Sequence, residues 1–537
     1  MVAAGCLLAF NAHALPSRSM IVARPAIDPS SLSSRQIEIV RNFEDHPTAL
    51  AVTLVELDAE VIDDATFVFG LAAGGAPGIT LHRIETSQEF GRLVWVGSAE
   101  GSAAVSILVV RGSRITGFIR LPGKAIGIRP LGDRLHLLVD WDLVAIPAED
   151  APGPFRHAGS VAGLSAVVPA DPTEIWVLAA YTEEAKNKAA TGTQDIEDVA
   201  IASVAAADQA LSDSDVQARF VLKGIEAVPN YAENWNSPGA DPGCVALEND
   251  VSNRVGGLDE LPMLRNLYAA DVVVTLVGSG NCVGKAMVIG PVEDKAYAVV
   301  SQYYADWNFS LAHEIGHMMG GRHMTDTGNT PSPAGHGHCN PGKWYTIMTR
   351  SGGCPAPNPT PPDWEARIQH YSNPGVLYPP TPTPGGDPTG TLPLRHVASV
   401  FASTASQVAA FRSPAQIAVT PQQITLEEGE DGALSIQVTR DSAPVPFAKV
   451  RITSEDSALV TTGTASITST RANGNAGRMI SGIAKGTTVV SILAEGSTAE
   501  VKVTVTKVPA GSTLAIVVGG LMMVRYLRRR ERRVGTK

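Results

Sequence analysis

The sequence is short of positive charge: 42 Lys and Arg face 53 Asp and Glu, a formal net charge of −11. A general nucleic-acid binder needs a basic face to displace counterions, so that class is excluded. No G-x-S-x-G segment occurs, which removes the support for a Ser–His–Asp hydrolase. Cysteine is scarce, five in 537 residues, and none lies between Cys6 and Cys244. What is present is ordinary: 44% hydrophobic residues exclude wholesale disorder and a collagen-like fibre. At roughly 100–200 residues per domain, the length implies about three domains.

The charge is unevenly placed. Between Arg525 and Lys537 seven basic residues accompany one acid, Glu531, so this tip carries +6 and the remainder −17. The apolar run Met1–Phe10 leads to Ala12-His13-Ala14, an A-x-A cleavage pattern, and reads as a secretory signal peptide over residues 1–14. Too few apolar residues precede Cys6 for lipidation there. At the other end, Val508–Val524 is an uncharged run of 17 residues, the lower limit for a bilayer-spanning helix, with the arginines placed for the cytoplasmic side. The sequence therefore predicts a transmembrane or sorting helix over 508–527 and a basic cytoplasmic tip over 528–537. Val508-Pro509-Ala510-Gly511-Ser512-Thr513, the apolar run and the arginines together resemble the PEP-CTERM type of bacterial sorting tail, with Pro509-Ala510-Gly511 where Pro-Glu-Pro is expected. The chain reads as exported, extracellular or anchored at the cell surface.

Removal of the signal leaves Cys244, Cys282, Cys339 and Cys354. An even number in an exported chain implies disulfides, with three possible connectivities. Pairing Cys244 with Cys282 and Cys339 with Cys354 closes two modest loops; free thiols are the alternative.

Residues 21–169 read as short β-branched strands separated by turns: Leu93–Val96, Val105–Val110, Ile115–Arg120, Ile126–Pro130 and Leu135–Asp140, punctuated at Gly112-Ser113, Pro122-Gly123 and Gly132-Asp133. From Thr173 the pattern alternates. Ile175–Ala179, Phe220–Leu222, Val272–Val277 and Ala296–Tyr304 read as strands, whereas Asp195–Leu211 and His396–Phe411 carry helical spacing. Pro355–Pro393 is proline-rich and irregular. Over 415–507, period-two strands at Ile417–Val419, Leu434–Val438, Val450–Ile452, Val489–Leu493 and Val501–Val505 imply an all-β sandwich that resembles bacterial immunoglobulin-like modules.

The chemistry is concentrated in Ser310–His323. His313 and His317 are four apart, so on a helix both rings project from one face and can share a metal ion. Glu314 adjoins the first ring and can reach a metal-activated water. Gly320 can take backbone angles that end the helix abruptly, letting the chain turn back and present His323 to the same ion. Three neutral histidines and a water make an open tetrahedral zinc site, the catalytic rather than the structural pattern. Zinc acidifies the water and polarises the scissile carbonyl, and Glu314 is the general base. His336 and His338, beside Cys339, read as a histidine-bearing loop near the cleft rather than a second metal site.

This pattern, H-E-x-x-H-x-x-G-x-x-H followed by Thr346-Ile347-Met348, resembles the metzincin clan of zinc peptidases. The wider stretch 173–413 is similar to the bacterial reprolysin-like peptidases, including peptidyl-Asp metalloendopeptidases, through Ala270–Val273, Phe309–His323, Thr346–Met348 and Tyr371–Pro374. Many such enzymes have an aspartate directly after the third histidine; here Met324 stands there, with Asp326 two further on. The resemblance implies an α/β metzincin catalytic domain, one catalytic zinc ion held by His313, His317 and His323, Met348 as a packing floor beneath it, and an extended polypeptide as substrate. It also implies a propeptide role for 21–169, where no cysteine is available to block the zinc. Side-chain preference at the cut site is left open. The competing reading is a surface adhesion protein on a metalloprotease-like fold, against which Glu314 speaks.

Overall fold

The computed structural model describes residues 18–507 except 24–30, 71–77, 100–102, 148–170, 193, 234–243, 279–281, 328–330, 351–352, 355, 358–359, 361–363, 365, 380–385 and 464–465. The expected signal peptide at 1–14 and the helix and tip over 508–537 lie outside the described residues. Among the described residues no helix is long and apolar enough to cross a membrane.

The chain divides into two compact units, one running to Arg265 and from Ala270 to Phe411, the other made of Asn266–Ala269 and the chain from Arg412 onward. The first begins with a nine-stranded antiparallel sheet, in which seven strands from Thr66–Phe69 to Leu135–Trp141 follow one another as a meander. Ala49–Leu57 then pairs with the last of them, and Ile21–Ala23 closes that edge. All five strands expected in this region are present. The helix Ser34–Glu44 is an addition to that expectation: Ser33 and Gln36 form a capping box, and Ile39, Val40 and Phe43 bury one face.

The region from Thr173 onward is built on a five-stranded sheet. Ala218–Val228, Thr173–Thr182, Val272–Val277 and Tyr297–Ser301 run parallel in that order, and the short strand Gly284–Ala286 pairs antiparallel at the edge. Val272–Val277 is buried at every position, as a strand covered on both faces must be. The long helix Ile196–Asp213 starts at the Asp195 cap and the helix Val397–Val408 closes the region. The candidate strand Ala296–Tyr304 is shorter than its apolar run, ending at Ser301 in a turn. The Pro355–Pro393 stretch holds only two-residue strands among its described residues, such as Ala366–Arg367 and Leu377–Tyr378.

The N-terminal sheet and the region from Thr173 onward share one hydrophobic core. Val94, Ile107, Phe118 and Val139 of the sheet belong to the same buried cluster as Val199, Ala206 and Leu211 of the long helix. Arg92, 6% exposed, joins them electrostatically: its guanidinium meets Asp198 at 2.6 Å, Glu197 at 2.7 Å and Asp195 at 3.0 Å. Asp198 is itself only 3% exposed, and burial pushes its carboxyl upward against the pull of Arg92. Breaking a buried pair from one side strands a charge, so Arg92→Met is expected to cost about 3–5 kcal/mol, read as a lower denaturant midpoint. Adding Asp198→Asn in that background is expected to restore part of the loss.

The second unit is a sandwich of two five-stranded sheets. Asp431–Arg440 alternates buried and exposed positions along most of its length, and Leu434, Ile436 and Val438 meet Val450, Ile452, Val490, Ile492 and Val503 in its core. The five expected strands are all found here. Gln423–Glu427, pairing parallel with Ser497–Thr506, and Asn475–Gly482 are further strands beyond the expectation.

Candidate metal centre

The helix Ser310–Met318 is only nine residues long. Its end is set by glycine: Gly320 takes φ +105°, and its N–H donates to the His317 carbonyl at 2.9 Å. The chain reverses there, as its sequence requires, and brings His323 back to the helix. The three imidazoles converge. Nε2 of His313 lies 3.0 Å from Nε2 of both His317 and His323, and the last two are 3.2 Å apart. Donors at the corners of a tetrahedron around zinc, with Zn–N bonds of about 2.0–2.1 Å, sit roughly 3.3 Å from one another. Among the described residues this is the single group of three or more His, Cys, Asp or Glu side chains placed to hold a metal ion.

The other ring nitrogens fix which way the lone pairs point. Nδ1 of His313 donates to the Ile347 carbonyl at 2.6 Å, and Nδ1 of His317 to the Gly321 carbonyl at 2.8 Å. Nδ1 of His323 faces the Asp326 carboxylate at 3.3 Å, and the other oxygen of Asp326 accepts the His323 backbone N–H at 3.1 Å. Burial lowers the His313 and His317 rings well below the ordinary histidine value, so both are neutral. A neutral ring that donates from Nδ1 keeps an unshared pair on Nε2. Two such pairs 3.0 Å apart, with Nε2 of His323 converging on the same point, repel one another unless a cation lies between them, so the residues fit a metal.

Glu314 is fully buried beside this triad. It packs on the edge strand: a Cβ on Gly284 would lie 2.6 Å from Glu314 Oε1, so only glycine leaves the carboxylate its place. Met348 is buried beneath the helix, its sulfur 2.5 Å from where a Cβ on Gly316 would stand. Its turn is anchored by Arg367, which donates to the Thr349 carbonyl at 3.2 Å and to the Asn308 carbonyl, just before the helix, at 3.0 Å. The Tyr371 hydroxyl donates to the Ala312 carbonyl at 2.8 Å.

Both disulfides join the pairs the loop lengths favoured, Cys244–Cys282 and Cys339–Cys354. The first ties the helix Cys244–Asn253 to the segment leading into the edge strand. His336 donates from Nδ1 to the His323 carbonyl at 2.9 Å and His338 packs edge-on against Trp344, so neither joins the metal cluster. Sequence reasoning noted Asp326 without a role and passed over Gly284. The first had a local signal, its spacing from His323; the second had none, because sheet register brings it to Glu314 from 30 residues away.

A model of the Reprolysin_5 group of metallo-peptidase family M12 matches residues 171–360. A peptidyl-Asp metalloendopeptidase of Stenotrophomonas maltophilia strain K279a is 31% identical over 323 residues, 57% of this chain and 70% of that protein. The chain belongs to the bacterial reprolysin-like metallopeptidases. It is a zinc-dependent metalloendopeptidase, the enzyme reading of the two set out above. The peptidyl-Asp metalloendopeptidase of Xanthomonas campestris pv. campestris is 28% identical over 415 residues and matches 72% of this peptidase and 92% of its own length. A solved chaperone–substrate complex aligns with 57% of this chain and 43% of that one at 15% identity and a TM-score of 0.33, too distant to bear on the fold.

Proposed function

We propose that this peptidase is exported and tethered at the cell surface, that His313, His317 and His323 hold its single zinc ion, and that Glu314 is its general base. The observation that carries the site is the convergence of three Nε2 lone pairs whose rings are each fixed from behind. When bound, the ion supplies Lewis acidity, polarising a carbonyl and lowering the pKa of water. Glu314 takes the proton of the attacking water and hands it to the leaving amine. Gly284–Ala286 is the edge along which an extended polypeptide would add as a further strand. Met348 is the packing floor. The sandwich, read as an immunoglobulin-like module, serves as a spacer or as a matrix- or glycan-binding unit, and the apolar 508–527 stretch as the anchor.

Metal removal tests the site. Dialysis against a chelator is expected to abolish digestion of an unstructured protein, and one equivalent of zinc to restore it. In His317→Ala the same addition is expected to restore nothing. Equal recovery in both proteins would overturn the ligand assignment. Mapping the cuts in the recovered digest tests whether the Asp-directed cleavage in the relatives' name extends to this chain.

A further inference from the structure

The edge strand Gly284–Ala286 is three residues long and pairs along one side only. So short a ladder does not hold a strand in place, and its position depends on what fixes the chain ahead of it. That chain leaves the buried strand Val272–Val277 through Gly278 and reaches the edge by way of Cys282.

Gly278 is gripped by a carboxylate. Its N–H donates to Oε1 of Glu233 at 2.8 Å and to Oε2 at 3.1 Å. The Thr182 hydroxyl, at the end of the neighbouring parallel strand, donates to the same Oε1. That hydroxyl already accepts the Ala185 N–H at 3.0 Å as the cap of helix Glu183–Thr191, so its one proton is aimed at Glu233. A Cβ at position 278 would lie 2.9 Å from the Glu184 carbonyl carbon, and only glycine lets the chain pass this close. Cys282 is held by a second attachment, the disulfide to Cys244. Both attachments lead back to one support. Two residues before Glu233, the Tyr231 hydroxyl donates to Asp250 at 2.8 Å, and Asp250 belongs to the helix that begins at Cys244.

We infer that Glu233 is a positioning residue for substrate, the polar half of a two-point clasp that, with the Cys244–Cys282 disulfide, holds the edge strand where an extended polypeptide pairs with it. The inference rests on Gly284–Ala286 being the substrate's seat, as proposed above. The clasp responds to protons. Burial pushes the Glu233 carboxyl up to about 7, against the hydrogen bonds from Thr182 and Gly278. Of the charges that face it from helix Glu183–Thr191, Glu184 raises it further and Lys188 lowers it; Tyr231, on its own segment, is bonded to Asp250. Above that value the anion makes charge-assisted bonds to both donors; below it, a proton on one oxygen confronts the Gly278 N–H and the grip slackens.

KM for an unstructured peptide is measured on the zinc-loaded peptidase across about pH 6 to about pH 8, together with amide exchange at Gly278 near the upper end. Wild-type KM is expected to rise on the order of fivefold as pH falls, the scale of trading charge-assisted hydrogen bonds for neutral ones. Glu233→Gln, shaped like the acid and uncharged, is expected to show the high KM throughout, with kcat within about twofold of wild type and faster exchange at Gly278. Thr182→Val is expected to move the midpoint of the KM profile upward, because a donor to the anion is lost, and Thr182→Ser to leave it in place. Should Glu233→Gln fail to fold, this pair decides, and a midpoint unmoved in both overturns the inference. Exchange in Glu233→Gln equal to wild type overturns the clasp whatever KM does. Faster exchange with an unmoved KM leaves the clasp standing and removes the edge strand as the substrate's seat, so the positioning role falls with that reading.

Discussion

Glu314→Gln is expected to lower kcat by about 10²- to 10⁴-fold, the usual contribution of a positioned general base, while the protein keeps one equivalent of zinc. The amide has the shape of the carboxylate and cannot accept the proton of the attacking water. Shape matters here, because Glu314 is enclosed against Gly284 and a larger group would be forced to displace the edge strand. The three imidazoles are held by Ile347, Gly321 and Asp326, none of which depends on Glu314, so metal content and fold are expected to survive. Single-turnover digestion of an unstructured peptide, with zinc measured on the same sample, provides the comparison. Cleavage at the wild-type rate would end the general-base assignment.

Asp326→Ala is expected to weaken zinc binding by about 10- to 100-fold, measured by competition with a chromogenic chelator. The asymmetry among the three histidines makes this position sensitive. His313 and His317 lean on backbone carbonyls, which no substitution removes, whereas His323 leans on a side chain. Burial pushes the Asp326 carboxyl upward, but its hydrogen bonds from the ring and backbone N–H of His323 outweigh that and hold it at about 2. It is therefore an anion near neutrality and fixes the orientation of the ring it holds. Asp326→Asn keeps an acceptor and loses the charge, so its affinity is expected to fall between the two. Equal affinity in all three proteins would show that His323 needs no support from behind.

The metal motif was legible because helical spacing is local: His313, Glu314, His317 and Gly320 occupy eight residues, and their geometry follows from one turn of helix and one glycine. The place of His323 was legible for the same reason, a fixed count of residues after that glycine. Val272–Val277 was found to the residue, since a strand buried on both faces is an unbroken apolar run. The edge strand Gly284–Ala286 was not, because three residues carry no period and its role comes from what it pairs with. The helix Ser34–Glu44 had a readable signal in Ser33 and Gln36, which the surrounding β-rich composition obscured. The shared core of the N-terminal sheet and the peptidase region had none. Arg92 and Asp198, or Phe118 and Phe309, are ordinary residues in sequence and become partners only through packing across more than a hundred positions.

The order of strands in the N-terminal sheet bears on how the enzyme is made. From Thr66 to Trp141 each strand pairs with the next in the chain, so this body can assemble from short-range contacts. The parallel sheet cannot: Thr173–Thr182 must find Val272–Val277 across a connection that includes the helix Ile196–Asp213 and the strand Ala218–Val228. Chains rich in local contacts fold sooner, and N-terminal portions are synthesised first. On topology alone the meander is expected to form before the parallel sheet closes, an order that hydrogen-exchange labelling during refolding would check.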